Sequence, residues 1–248
     1  MRHIILDSRR RTDVASWAVS RGFRENFSDI AVLFCRDSNL PLDGTSRAWL
    51  QQHGYTRVFE NAYLPSEATE LERSQLVQLL FRELGPIEYE ASIDLATNVG
   101  CYEHLYRVAQ DVGVAETPRL LDFGAGPGTI LHSSIPTHVG ALFGYDFSAL
   151  NQARAEARGL RMIRPGYSTG ETFDLVLSCY VFHYGSLQIS DLNFVSGLLK
   201  SGGVWVGNFH KGLGTANAVA QLSSHSNFSV EELRASNYGP VVVLRRLS

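Results

Sequence analysis

The residues best suited to chemistry gather where a short apolar run breaks into alternating glycines, Arg119-Leu120-Leu121-Asp122-Phe123-Gly124-Ala125-Gly126-Pro127-Gly128-Thr129. Glycine is required where the backbone takes a positive φ or where a ligand must touch the main chain, so three in five residues point to a ligand cradle. The glycine pattern alone suits a dinucleotide as well as other nucleosides. Two acids narrow the choice. Asp146 lies 24 positions beyond Asp122, at the end of the next apolar run, where a carboxylate can accept both hydroxyls of a ribose. Asp122 precedes the first glycine; its charge would repel a pyrophosphate and suits a cationic amino-acid ligand. The plainer roles are a turn-forming Asp122 and a helix-capping Asp146. His183, a few residues past the apolar run 173–178, and His210, just past the run 204–207, are candidate general bases, because imidazole titrates near neutral pH. The plainer role of His183 is a structural hydrogen bond at a helix start.

These residues need strands to end beside one another. The glycine turn is preceded by a helix pattern with Tyr102, Leu105, Tyr106, Ala109 and Val112 on one face and Gly113 at its exit. Beyond the turn, Ile130, Leu131 and Ile135 predict a brief helix stopped by Pro136. Strands are expected at 139–145, 160–163, 173–178, 204–207 and 240–246, with helices from Ala149 behind a Ser148 cap, around 189–199, and after a capping box at Ser229 and Glu232. Upstream, strands at 3–6, 30–35 and 56–59 alternate with helices at 12–20 and 46–53, which argues for a small βαβαβ unit with a parallel sheet. The expected class is therefore α/β, a Rossmann-like, mostly parallel sheet with helices on both faces, preceded by that unit. The expected division is 1–64, a linking helix at 65–86, and 87–248.

Composition limits the partners. The 248 residues are 44% hydrophobic and 19% charged with a formal net charge of -3. Residues 1–86 hold eleven basic and eleven acidic side chains. Nothing there favours a nucleic-acid backbone. Cys35, Cys101 and Cys179 form no C-x-x-C pair and no metal-ligand spacing, so no metal is expected. No apolar run is long enough for a signal peptide or a membrane span, and a soluble, cytoplasmic protein is expected.

Residues of about 87 to 248 resemble a class I S-adenosylmethionine-dependent methyltransferase. LLDFGAGPG is similar to the family's first motif, GYDFSALNQARAEA to its ribose-binding strand end and helix, FDLVLSCYVFHYG to its fourth-strand motif and LLKSGGVWV to its fifth. The resemblance implies S-adenosylmethionine as cofactor. Gly124, Ala125 and Gly126 would pass its methionine end and Asp122 would help hold it. Asp146, with Phe147 beside it, would serve the nucleoside, and Ser178 and Cys179 would stand next to the cofactor. Tyr180, Tyr184 and Tyr102 would line the acceptor pocket. Two departures stand out. The acid that usually binds the adenine amino group is replaced by Arg164-Pro165-Gly166-Tyr167, so adenine would rest on backbone groups and Tyr167. The tail also shows one clear strand where the family has a β-hairpin. Additions before the cofactor domain in this family cover the active site or form a homodimer interface, and both stay open here. The expected reaction is methylation of an oxygen or nitrogen of a small-molecule acceptor; an RNA methyltransferase and a non-catalytic assembly partner compete with it.

Overall fold

The computed structural model describes residues 2–6, 23–27, 32–35, 44–59, 62–66, 90, 93–164, 172–182, 189–209 and 215–247. The chain divides into two compact units, Met1–Ser92 and Ile93–Ser248, and each carries its own sheet.

The first unit has strands β1 (Arg2–Leu6), β2 (Phe23–Phe27), β3 (Val32–Cys35), β4 (Tyr55–Phe59) and β5 (Ala62–Pro65), with helix α1 (Gly44–Gln52) between β3 and β4. Their order is β2-β1-β3-β5-β4. Only β1 and β2 are parallel; the other three pairings are antiparallel. This corrects the expected parallel βαβαβ arrangement. Two residues separate β4 from β5, and a connection that short joins only antiparallel neighbours. The expected helix at 12–20 lies outside the described residues, as do residues 67–86 of the linking helix expected at 65–86, whose first residue, Pro65, ends β5 instead.

The second unit begins with α2 (Leu95–Asp111), whose cap Asp94 accepts the Thr97 N–H at 3.2 Å. It continues through β6 (Arg119–Phe123), β7 (Ala141–Tyr145), α3 (Ala149–Ala157), β8 (Arg161–Met162), β9 (Phe173–Phe182), α4 (Ile189–Leu198), β10 (Leu199–Phe209), α5 (Thr215–Ser224), β11 (Phe228–Arg234) and β12 (Val241–Arg246). The sheet order is β11-β12-β10-β9-β6-β7-β8. β6 to β10 run parallel, and β12 is antiparallel to both β10 and β11. Alternate residues of each strand feed two separate cores, as the period of two demands. Leu120, Leu175, Leu177, Val204 and Val206 meet Leu105 and Ala109 of α2 and Ala155 of α3 on one face. Leu121, Phe123, Val176, Trp205 and Val242 meet Leu192 and Val195 of α4 and Leu222 of α5 on the other. The expected Rossmann-like sheet with helices on both faces is thus the observed one.

Two local expectations fail. After the glycine turn there is no α-helix; two 3-10 turns, Thr129–His132 and Ile135–Thr137, take its place, and Pro136 sits inside the second. Ser133 donates its hydroxyl to the Ile130 carbonyl at 2.6 Å, while Ser134 gives its amide and hydroxyl to the Glu103 carboxylate at 2.6 and 2.9 Å. Serines that bond this way compete with a helical ladder. At the other end, the capping-box residues Ser229 and Glu232 belong to strand β11, which completes a hairpin with β12. Glu231 pairs with Arg245 across that hairpin. Cross-strand partners outweigh a four-residue local pattern, and the C-terminal edge is complete. Among the described residues no helix is long and apolar enough to cross a membrane.

Candidate functional site

β6 lies between β7 and β9 although β7 follows it in sequence and β9 comes later. The strand order reverses there, and such a switch point opens a crevice beyond the carboxyl ends of the strands. The glycine turn closes β6 at that edge. Gly124, Gly126 and Gly128 have φ of 84°, 53° and 88°, the region that a side chain makes costly. Gly124 N–H and Ala125 N–H both donate to the Tyr145 carbonyl, at 2.8 and 2.9 Å, which ties the turn to the end of β7. A Cβ on Gly124 would lie 2.2 Å from a methyl of Val181, so only glycine fits.

Asp146 follows β7 directly and faces the same turn. Its Oδ2 accepts the Gly126 N–H and its Oδ1 the Ser148 N–H, each at 2.8 Å. Each carboxylate oxygen keeps acceptor capacity beyond those bonds. Burial raises its carboxyl above the usual range, against the stabilising pull of the Ser148 and Gly126 amides and the Asn151 side chain. Ser148 caps α3 as the sequence indicates, through its Oγ and the Asn151 N–H. Next to Asp146, Phe147 is 56% exposed, an apolar ring left in solvent beside a carboxylate.

Asp122 is wholly buried. The Tyr102 hydroxyl donates to it, lying 3.1 Å from Oδ1 and 3.0 Å from Oδ2. Burial pushes its carboxyl up to about 8, the Tyr102 hydrogen bond opposes this, and the nearby Asp146 charge adds to it. Pushed up this far, the Asp122 carboxyl favours its protonated form near neutral pH. Tyr102 is buried against it and acts as its partner.

The carboxyl end of β9 forms the opposite wall. Cys179 lies with its sulfur 3.9 Å from the Asn98 carbonyl of α2, and burial together with the Cys101 thiol and the Asp122 charge pushes its thiol up, which makes it inert as a nucleophile. Tyr180 is half-buried with φ of 57°; burial, followed by the Cys101 and Cys179 thiols, raises its phenol. Ser178 is directed elsewhere. Its hydroxyl accepts the Trp205 indole N–H at 2.9 Å, within the core on the α4 side. His183, Tyr184, His210 and Tyr167 lie outside the described residues.

The structure thus brings Asp122, Gly124, Ala125, Gly126, Asp146, Phe147, Cys179, Tyr180 and Tyr102 to one sheet edge. It adds Cys101 and Val181, which sequence reasoning had not placed there, and it brings in Asn98 and Asn208. Asn208 carried a signal: it is a polar residue inside the apolar strand sequence VWVGNF, and it is fully buried.

No protein-family model matches the sequence, and no curated protein matches it. Solved structures do. The plantazolicin methyltransferase BpumL, crystallised with a triazolic desmethylPZN analog and SAH, superposes with a TM-score of 0.54 at 13% identity, covering 72% of this chain and 97% of that one. The fold is that of class I S-adenosylmethionine-dependent methyltransferases. Two further methyltransferases match at lower scores. One from Clostridium acetobutylicum ATCC 824 gives 0.48 at 12% identity over 70% of this chain and 99% of its own. The magnesium protoporphyrin IX methyltransferase of Synechocystis PCC 6803 gives 0.47 at 11% identity over 70% and 97%. In this methyltransferase fold the glycine turn, Asp146 and the β9 wall occupy the carboxyl edge at the switch point. Such an arrangement can hold a nucleoside and exclude water; it needs no protein nucleophile for a direct displacement.

Proposed function

We propose that this chain transfers a methyl group from S-adenosylmethionine to an oxygen or nitrogen of a small molecule. The observation that carries the reading is the joint placement of Asp146 and the positive-φ glycine turn at the switch point of a methyltransferase fold. The residues suit the cofactor. Asp146 takes the ribose hydroxyls with its remaining lone pairs, and the exposed Phe147 ring stacks the adenine. Gly124 to Gly126 face the methionine end, where the Asp122 carboxyl, tied to Tyr102, ionises in response to the cofactor's positive charge. When bound, the cofactor supplies an electrophilic methyl group.

The chain's own part is then to align the acceptor and take its proton. The β9 wall aligns it, and His183 is the proposed base, with His210 as the second candidate; both rest on their sequence position after β9 and within or after β10. BpumL, a plantazolicin methyltransferase, has a fold of this kind, and the net charge of -3 supports a small-molecule acceptor over a nucleic acid.

Asp146→Asn keeps an acceptor oxygen for one of the two backbone amides, turns an NH2 toward the other and removes the charge. Calorimetry is expected to show its affinity for S-adenosylmethionine at least about tenfold weaker than wild type, a loss of roughly 1.4 kcal/mol, with circular dichroism checking that the variant is folded. Equal affinity in the two proteins overturns the site. A metabolite extract supplied with methyl-labelled cofactor is expected to gain a labelled small molecule only when the wild-type protein is added.

A further inference from the structure

Near their carboxyl ends β9 and β10 lose register. Gly207 pairs with Ser178 and Phe209 with Phe182, so Asn208 alone faces Cys179, Tyr180 and Val181. Two extra residues of β9 form a bulge, a device that bends a strand and re-aims its side chains. Within it Tyr180 is the one non-glycine residue with positive φ among the described residues, a conformation that costs a residue with a Cβ about 1–2 kcal/mol. The surroundings must hold it there.

Asn208 does this by standing in for the missing ladder. Its Oδ1 accepts the Tyr180 N–H at 2.7 Å, and its Nδ2 donates to the Tyr238 carbonyl at 2.7 Å. Both hydrogen bonds are made by a side chain with no exposure to solvent, where an unmet polar group is costly. The bulge is clamped on both sides. The Phe182 ring lies on Gly207, where a Cβ would come within 2.1 Å of it, and Val181 lies on Gly124. Cys179 and Tyr180 pack toward α2, beside Cys101.

We propose that Asn208 is a positioning residue for the methyl acceptor: through Tyr180 and the bulge it sets the wall of the crevice opposite the nucleoside side. This rests on the methyltransferase reading above. Asp146, Phe147 and the glycine turn belong to the β6–β7 side of the switch point, whereas the bulge belongs to the β9–β10 side. A change at Asn208 therefore acts mainly on the acceptor side, the bulge reaching the glycine turn through Val181 on Gly124. The wall it sets is a phenol ring and a valine, which fits a planar or apolar small molecule.

The test uses the full chain. Asn208→Ala is expected to bind S-adenosylmethionine within about threefold of wild type, while label transfer into a metabolite extract falls by at least about tenfold, the scale on which misplaced reactants lose rate. The Tyr180 amide is expected to exchange with deuterium at least about tenfold faster. Asn208→Asp supplies a conservative control. As a neutral acid it has one acceptor and one donor, like the carboxamide; ionised, it meets the Tyr238 carbonyl with repulsion. Its transfer rate relative to wild type is expected to rise as the pH is lowered from about 8 to about 5. If Asn208→Ala does not fold, that ratio decides alone, and a flat ratio overturns the proposal. Wild-type transfer and exchange rates in Asn208→Ala overturn it while leaving the enzyme reading intact. A wild-type protein that neither binds cofactor nor transfers label sinks the enzyme reading, and this inference with it.

Discussion

Asp122 favours its protonated form near neutral pH because its charge would sit in the interior with no solvent and, among the described residues, with the Tyr102 hydroxyl as its donor. Its carboxyl is pushed up to about 8 in the folded chain from an ordinary 3.8. The folded state then binds more protons than the unfolded state between those values, so its contribution to stability is fully present below about 4 and is lost as pH rises through about 8. Asp122→Asn lacks this titration. Relative to wild type the variant is expected to gain on the order of 3 kcal/mol between about pH 5 and about pH 8, read from urea midpoints at each pH. A constant difference between the two proteins across that range would show that Asp122 is ionised throughout. If the cofactor binds beside Asp122 as proposed, the same logic has binding release a proton near neutral pH. The sequence displayed this acid and its place before the glycine but not its protonation state, which depends on burial and on Tyr102, twenty residues away.

At the scale of elements, strands ending in glycine or an acid were legible from sequence because period-two burial and the turn residues agree. β6, β7, α3 and β12 stand within two residues of where pattern alone puts them. What escaped was structure set by partners distant in sequence. β11 takes its form from β12 and from the Glu231–Arg245 pair. β9 runs to Phe182, four residues beyond its regular apolar run, because Asn208 bridges a bulge that breaks the period. Sequence reasoning placed Asp122, the glycines and Asp146 at regular strand ends, and it named Cys179 and Tyr180 without the bulge that holds them, because that bulge depends on Asn208. α2 shows the same competition between local and distant terms. Gly100 sits mid-helix, where alanine is worth up to about 1 kcal/mol more. A Cβ there would stand 2.5 Å from the Tyr238 hydroxyl and 3.3 Å from its Cζ. Gly100→Ala is therefore expected to lower the melting temperature in the wild-type background and to raise it in Tyr238→Phe, where the obstructing oxygen is gone. The same sign in both backgrounds would mean that the hydroxyl is not the obstacle.

For the whole molecule, the division into units sets how ligand binding registers in stability. Residues 1–92 and 93–248 each close a sheet that shares no strand with the other, and every group proposed to touch the cofactor belongs to the second. A ligand that binds only the native state stabilises the unit that holds it, by about 2.7 kcal/mol at one hundred times its dissociation constant. For a unit of this size that corresponds to a rise of roughly 5–11 °C. Calorimetric scans of the full chain are expected to resolve two transitions, of which S-adenosylmethionine raises one and leaves the other in place. Asp146→Asn is expected to cut that rise to about half or less at the same cofactor concentration, because a site at least tenfold weaker loses about 1.4 kcal/mol or more of the linkage. Movement of both transitions together would instead assign cofactor contacts to residues 1–92, and the crevice between β6 and β9 would no longer account for binding.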